Sequence, residues 1–166
     1  GYRVYRRTDA GAYELPLNGE ALAQTFFEDT PPAYDVVYYY TVRSVRTREE
    51  TVIESDAADE IRCEYYDITP PAAPQFLTAI AQRDGVLLKW MVSAEEGFAG
   101  YHVYRRTPGR GEFERLNTEL LTENSWLDTT VVTRRRYEYV VTALDDSLSA
   151  NESAFSESDS LRYVPN

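Results

Sequence analysis

Short stretches of alternating apolar and polar residues run along most of the chain, separated by turn signals. In the C-terminal half, Val86, Leu88 and Trp90 fall on one face of a strand at period two. Residues 136–144 alternate in the same way, which predicts tyrosines facing inward and Glu138, Val140, Thr142 and Leu144 facing outward. Strands this short, with turns at intervals of roughly 8–12 residues, indicate an antiparallel β-sandwich or barrel. We therefore predict an all-β protein.

The same pattern predicts where the extended segments lie. In the C-terminal half they are residues 76–82, 86–90, 101–106, 113–116, 125–127, 136–144 and 154–163, with turns at Arg83-Asp84-Gly85 and Pro108-Gly109-Arg110-Gly111. In the N-terminal half they are residues 1–7, 13–17 (interrupted by Pro16), 24–27, 36–45 and part of 51–63.

The two halves repeat one sequence. Residues 1–8 and 100–107 are identical at seven of eight positions, 99 residues apart. The same offset aligns Asp29-Thr30 with Asp128-Thr129, and the Tyr-x-Tyr-x-Val pattern of 38–42 with that of 137–141. The chain is therefore predicted to be two copies of one β-rich unit, the first beginning part of the way through.

Four motifs of the second copy occur in a familiar order. They are the opening Pro70-Pro71-Ala72-Ala73-Pro74, the Val-x-Leu-x-Trp strand of 86–90, the Gly-Tyr-x-Val-Tyr-Arg strand of 100–105 and the Tyr-x-Tyr-x-Val-x-Ala strand of 137–143. With them each unit resembles a fibronectin type III domain. The resemblance implies two immunoglobulin-like antiparallel β-sandwiches in tandem, with strands A, B and E packed against C, C′, F and G. Residues 70–166 are then a complete domain, and residues 1–69 a partial one with strands C to G.

The resemblance also implies a core. Trp90 is expected to lie between the two sheets, and the hydroxyls of Tyr137 and Tyr38 are expected to bond nearby backbone at a tyrosine corner. The full predicted core is Trp90, Tyr101, Val103, Tyr137, Tyr139, Val141, Tyr38 and Tyr40.

The first copy lacks strands A and B, and with them a counterpart of Trp90. This predicts that the inward side chains Tyr2, Val4, Tyr38, Tyr40 and Val42 are exposed, and that residues 1–69 do not fold alone. Three explanations are open: the chain is a piece of a longer polypeptide, a neighbouring molecule supplies the strands, or the second domain shields the sheet. We hypothesise the first.

The charge balance narrows the class of partner. The formal net charge is −11, with 7 basic and 14 acidic residues in 1–69 and 10 and 14 in 70–166. Both halves are acidic, which argues against nucleic acid or an anionic membrane as a partner. No apolar run approaches the ~20 residues of a membrane span, so direct insertion by this segment is not expected.

The sequence contains no pattern of catalytic chemistry. His102 is the one histidine and falls on the predicted outward face of strand C, and Cys63 is the one cysteine, so no intrachain disulfide or Cys–His zinc site is expected. The carboxylate pairs Glu95-Glu96 and Asp145-Asp146 lack the spacing of a calcium loop. We predict no enzyme activity, no catalytic residue, no metal and no cofactor.

One surface has a composition that favours binding. The outward face of strands C and F is rich in Tyr and Arg, which are enriched at the energetic centres of protein interfaces. The predicted interaction face consists of Arg3, Tyr5, Arg7, Tyr39, Arg43, His102, Tyr104 and Arg106. An ordinary solvent-facing sheet with cross-strand pairing has the same composition.

The functional hypothesis rests on the family resemblance. We expect a non-catalytic structural spacer or protein-interaction module of an extracytoplasmic bacterial protein, secreted, periplasmic or on the cell surface, with a lipoprotein as one form. Its partner is expected to be a protein, or a second copy through the truncated first sheet. Two alternatives stay open: an accessory region of a secreted polysaccharide-degrading enzyme, and a carbohydrate-binding module that uses exposed aromatic residues.

Overall fold

The structure is a computed structural model and describes residues 1–49 and 51–166. The chain divides into two compact units, Gly1–Asp67 and Ile68–Asn166. The secondary structure of the described residues is β-strand without helix, which confirms the predicted all-β class. None of the described residues belongs to a helix that could cross a membrane.

The first unit is built on one antiparallel sheet. Its strands are β1 (Tyr2–Thr8), β2 (Val36–Arg48), β3 (Thr51–Glu54) and β4 (Ile61–Tyr65). The long strand β2 pairs with β1 along one edge, and with β3 and β4 at the two ends of its other edge. Of the inward side chains predicted to be exposed, Tyr2 and Val42 are exposed, whereas Val4 and Tyr38 are buried.

Two predicted segments of the first unit are not strands. Residues 13–17 contain Pro16, which has no amide hydrogen to donate to a ladder, and Leu17 alone bonds β1 through Val4. Residues 24–27 are also irregular. At the 99-residue offset, residues 26–29 align with 125–128, which form a strand by pairing with a neighbouring strand. The described residues of the first unit contain no such neighbour.

The second unit contains two sheets. One comprises β5 (Thr78–Gln82), β6 (Gly85–Lys89) and β9 (Ser125–Asp128), and the other comprises β7 (Phe98–Thr107), β8 (Arg110–Arg115), β10 (Arg136–Asp145) and β11 (Asp159–Arg162). Their orders are β5-β6-β9 and β11-β10-β7-β8. This is the division into A-B-E and C-C′-F-G strands that the resemblance implied.

The core of the second unit lies between these sheets. Val86, Leu88 and Trp90 from the first sheet meet Tyr101 and Val141 from the second, all buried. The Trp90 ring packs edge-on against Tyr101, with centroids 5.1 Å apart. Tyr137, Tyr139 and Val103 belong to the same cluster.

The prediction that β10 has a solvent-facing side was wrong. Val140, Thr142 and Leu144 are buried, and Glu138 is half-buried. The segment before β11 runs beside β10, since the Ser153 and Ser156 amides donate to carbonyls of β10. Phe155 from this segment packs on Tyr104 of the adjacent strand, with centroids 5.2 Å apart. The alternation of apolar and polar residues along one strand does not reveal that a distant segment of the chain covers its outer side.

Candidate functional site

The Tyr and Arg residues predicted as an interaction face in the first unit do lie together. Glu54 is placed among them by β3: its carboxylate accepts from Arg3 Nη1 at 2.6 Å and from the Tyr5 hydroxyl at 2.7 Å. The hydrogen bonds from Tyr5 and Arg3 lower the pKa of Glu54. Tyr5 is only 7% exposed, so its predicted outward exposure was wrong.

A second carboxylate pairs with the other end of this face. Glu60 accepts two bonds from the Arg7 guanidinium, at 2.7 and 2.9 Å, and one from Tyr13 at 2.6 Å. The Arg7 guanidinium also stacks on the Tyr39 ring at 4.2 Å, and Arg43 lies 5.6 Å from the Tyr5 ring. The cationic groups here are bonded within the unit.

The equivalent face of the second unit is paired in the same manner. Arg106 donates to Glu138 at 2.8 and 3.2 Å, and its guanidinium lies 4.2 Å from the Phe113 ring centroid. Tyr104 donates to Glu152 at 2.6 Å. Burial and the Glu152 carboxylate raise the pKa of Tyr104 to about 12.

His102 is buried, with 6% of its surface exposed, and the expectation of an exposed strand residue was wrong. Its ring nitrogens lie 3.3 Å from Asn117 Nδ2 and 3.4 Å from Arg115 Nη1, because β8 and the loop after it cover this part of β7. Burial lowers the pKa of His102, and the positive charge of Arg115 lowers it further. The ring is therefore a neutral packing group near pH 7.

The partners of these predicted residues come from distant parts of the chain. Glu54, Glu60, Glu138 and Glu152 were not predicted as site residues, and they lie 32 to 53 positions away from the predicted Tyr and Arg residues that they bind. Alternation placed Glu138 on the outward side of its strand, and no local pattern marks the other three. The Tyr/Arg face is thus satisfied internally, as an ordinary paired sheet surface is.

The inner face of the first unit is a different kind of surface. It forms an apolar groove of about 620 Å³. We call this the open groove; it is lined by Tyr2, Val4, Leu22, Gln24, Thr25, Phe26, Phe27, Asp29, Pro31, Tyr40, Val42, Ile61, Cys63 and Tyr65. Phe26 is 75% exposed and Ile61 69%. Exposed apolar side chains gathered in one groove are a feature of interaction sites on protein surfaces.

A buried asparagine occurs at the same place in both units. Asn117 Oδ1 accepts from the Val103 amide at 2.7 Å, and its Nδ2 donates to the carbonyls of Tyr101 and Glu119. Asn18 makes the three equivalent bonds, 99 positions earlier, to Val4, Tyr2 and Glu20. Sequence reasoning missed this pair, although the 99-residue offset aligns the two asparagines.

An Arg–Asp–Tyr cluster is also repeated. Asp128 is fully buried and accepts from Arg105 Nη1 at 2.6 Å and from the Tyr139 hydroxyl at 2.9 Å. Burial alone raises the pKa of Asp128, but bonds from Thr130, Tyr139 and Arg105 outweigh it and hold the pKa below its usual value. In the first unit, Asp29 accepts from Arg6 and Tyr40, each at 2.7 Å.

The tyrosine hydroxyls at the start of β2 and β10 bond local backbone. Tyr137 accepts from the Val132 amide at 2.8 Å. Tyr38 accepts from the Ala33 amide at 3.2 Å and donates to the Ala33 carbonyl at 3.1 Å. Tyr40 is half-buried at the edge of the open groove.

Cys63 is exposed, and the described residues contain no group of three or more His, Cys, Asp or Glu that could hold a metal ion.

Comparison with known proteins gives two kinds of match. The chain is 31% identical over 97 residues to an amylopullulanase of Thermoanaerobacterium thermosulfurigenes, and 31% identical over 90 residues to an amylopullulanase of Thermoanaerobacterium saccharolyticum. These matches take in 58% and 54% of this chain, but only 5% and 7% of those proteins. No protein-family model matches the chain.

The structural match concerns a smaller protein. An Fn3-like protein from Clostridium thermocellum superposes with a TM-score of 0.50 at 28% identity, over 59% of this chain and 98% of that one. The chain therefore contains an Fn3-like all-β domain.

Proposed function

We propose that the chain is a non-catalytic accessory region of an extracytoplasmic bacterial polysaccharide-degrading enzyme. The observation that carries this is the similarity to a short segment of two amylopullulanases. The matched length of 97 residues is close to that of the second unit, Ile68–Asn166. This accessory role was the alternative at the level of sequence, and the similarity now favours it over a lipoprotein module.

We propose further that the region is two tandem fibronectin type III-like units, 1–69 and 70–166, the first without strands A and B. The support is the repeat in sequence together with the repeat in bonding, since Asn18 and Asn117 make the same three bonds 99 positions apart. Asp29 and Asp128 likewise bind equivalent Arg and Tyr side chains.

The bonding of the second unit supports a role as a rigid spacer. Its two sheets enclose one buried core, and its surface arginines Arg105 and Arg106 are bound to carboxylates of the same unit. Such a unit holds its shape without a ligand, and it can keep a catalytic domain at a distance from a surface. The acidic charge favours solubility over adhesion to other acidic polymers.

A zymogram of the source organism tests the proposal. An antibody against the 166-residue chain should stain an extracellular band that also hydrolyses pullulan or starch in the gel, while the purified chain alone should release no reducing sugar. An antibody signal confined to a lipid-modified protein without hydrolytic activity would contradict the proposal. Binding of the purified chain to polysaccharide would instead support the carbohydrate-binding alternative.

A further inference from the structure

One end of the second unit carries five exposed arginines. Arg134, Arg135 and Arg136 form the run that leads into β10, Arg162 ends β11, and Arg83 lies in the turn between β5 and β6. We call these five residues the basic end. None of them forms an ion pair with a carboxylate within residues 1–49 and 51–166.

The backbone holds the basic end together. Arg136 and Arg162 are partners in the register of β10 and β11, so their side chains lie next to each other on one face of the sheet. Tyr163 connects two others, since its amide donates to the Arg135 carbonyl at 2.9 Å and its hydroxyl donates to the Arg83 carbonyl at 3.1 Å. Like charges that lie side by side repel each other, which costs free energy in the unbound protein.

The fold does not require arginine at these positions. Arg134 has a φ of +69°, in the left-handed region where Gly, Asn and Asp are favoured over long side chains. Its amide donates to the Tyr163 carbonyl at 2.7 Å. Asp35 of the first unit has a φ of +58°, and its amide donates to the Tyr65 carbonyl at 2.6 Å. The first unit therefore builds the same backbone with an aspartate.

The charge of this end is reversed between the two units. Strand pairing places Val37 opposite Glu64 in the first unit, where the second unit has Arg136 opposite Arg162. Together with the aspartate in the left-handed position, this makes the equivalent end of the first unit acidic. The arginines are therefore a property of the second unit and not a requirement of the repeated fold.

The acidic loops of the second unit lie at its other end. Strand β10 runs for ten residues from Arg136 to Asp145, which is about 30 Å at the rise of an extended strand. Asp146 follows there, and its amide donates to the Gly97 carbonyl at 2.7 Å, which brings the loop of Glu95 to the same end. The Debye length at physiological ionic strength is about 8 Å. The net charge of −11 therefore does not describe the surface at the basic end.

Two apolar side chains lie beside the arginines. Val132 and Val164 are each 51% exposed. The Val132 carbonyl accepts from the Arg135 amide at 3.2 Å, and Val164 directly follows Tyr163. A phosphate polymer offers these valines no apolar contact and a polysaccharide offers little, whereas a protein presents carboxylates and aliphatic side chains together. Arginine enclosed by other contact residues is typical of the energetic centres of protein interfaces.

We propose that the basic end is a binding surface for an acidic segment of a partner protein, in which carboxylates are interspersed with aliphatic side chains. The guanidinium groups bind carboxylates through paired bonds, as Arg106 binds Glu138 within this unit. The aliphatic side chains pack on Val132 and Val164. The inference goes beyond the proposed function and does not depend on which enzyme contains the region.

The test uses the full chain and a fluorescently labelled peptide of repeated Glu-Glu-Leu triplets, with binding followed by fluorescence anisotropy. Arg134→Glu combined with Arg135→Glu should weaken binding by at least about tenfold, because two attractions become repulsions. The matched control is Arg46→Glu combined with Arg48→Glu, at two exposed arginines of β2. It changes the net charge by the same amount and should bind within about twofold of the wild type.

Thermal melting of the second unit in each variant shows that the preparation is folded. An equal loss of affinity in the two variants would overturn the proposal, because the charge of the whole chain would then govern binding. Unchanged affinity of the Arg134→Glu, Arg135→Glu variant would also overturn it, since the peptide would then bind elsewhere, as an apolar contact in the open groove would allow.

A second comparison tests the class of ligand. A peptide of Glu-Glu-Ser triplets has the same charge and should bind several times more weakly, because it offers the valines no aliphatic partner. Polygalacturonate and polyphosphate, matched in charge concentration, should displace the labelled peptide less well than the unlabelled Glu-Glu-Leu peptide does. Equal affinity of the two peptides would contradict a protein ligand, and stronger displacement by either polymer would assign the surface to an anionic polysaccharide or a phosphate polymer instead.

Discussion

At the scale of the residue, burial rather than residue type decides what each side chain does. Tyr2 and Tyr101 are the same amino acid at equivalent positions, yet one lines a groove and the other is enclosed. Arg106 and His102 both belong to the predicted interaction face, yet the first binds a carboxylate and the second is a buried neutral ring. A sequence gives residue types and spacing, but it does not give the cover supplied by distant segments.

Trp90→Ala should unfold the second unit or destabilise it by about 3–5 kcal/mol, because it removes the largest apolar group between the two sheets. Trp90→Phe is the matched control. It keeps a ring against Tyr101 and removes the indole Nε1, which has no hydrogen-bond partner in the structure. Urea unfolding measures the stability of both variants. A Trp90→Ala variant with stability near that of the wild type would show that the core is assigned wrongly.

Asn117→Ala should destabilise the second unit by about 1–3 kcal/mol, since the buried Val103 amide loses its acceptor. Asn18→Ala removes the equivalent bonds in the first unit and serves as the comparison. Amide exchange at Val103 and Val4 reports each loss locally. Faster amide exchange at Val103 in the Asn18→Ala variant would contradict the assignment of each asparagine to its own unit.

Acid should weaken the second unit partly through Asp128. Its pKa is lowered in the folded state, so the stabilisation is present above the unfolded pKa of about 3.9 and is lost as the pH falls through the lower folded value. The melting temperature of the second unit between pH 7 and pH 2 measures the effect. Asp128→Asn should flatten this dependence in part, with Glu138 and Asp145, whose pKa values are also lowered, supplying the remainder. If the melting temperature of the Asp128→Asn variant fell with pH as steeply as that of the wild type, Asp128 would not be a source of the acid sensitivity.

At the scale of the element, strands form where a partner strand is available. The turn signals at Arg83-Asp84-Gly85 and Pro108-Gly109-Arg110-Gly111 indicated the correct hairpins, because a tight turn fixes pairing between neighbours in sequence. The turns themselves are shorter than predicted, since β6 begins at Gly85 and β8 at Arg110. The predicted strand at 24–27 could not be judged in this way, because a strand there depends on a partner far away in the chain. Residues 26–29 align with β9 at the 99-residue offset, and β9 is a strand because it pairs with β6.

Gly85→Ala should destabilise the contact of β6 with β9. A Cβ at position 85 would lie 2.4 Å from the Asp128 carbonyl oxygen, so the two strands would have to separate. We expect a cost of about 1–3 kcal/mol, typical of overpacking. Gly19→Ala is the control, since its Cβ would meet nothing within 4 Å. Equal thermal stability of both variants would contradict the close approach of Gly85 to the Asp128 carbonyl oxygen.

At the scale of the whole molecule, the repeat was the strongest guide that the sequence contained. The all-β class and the two sheets of the second unit were predictable from alternation and from the motifs around Trp90 and Tyr137. The exposure of Tyr2 and Val42 was predictable in outline, from the expectation that residues 1–69 lack strands A and B. The internal pairing of the Tyr/Arg face was not, because its carboxylates lie far away in the chain and leave no periodic trace.

Residue-resolved amide hydrogen exchange on the 166-residue chain tests the central claim most directly: a closed sandwich in the second unit and an open sheet in the first. We predict that the amides of Val103 and Val141 exchange only through global unfolding of the second unit. Residues 26–29 should exchange within the time of the first measurement, while the equivalent residues 125–128 remain protected. Equal protection of 26–29 and 125–128 would contradict an open first unit, and rapid exchange at Val103 would contradict a closed second one.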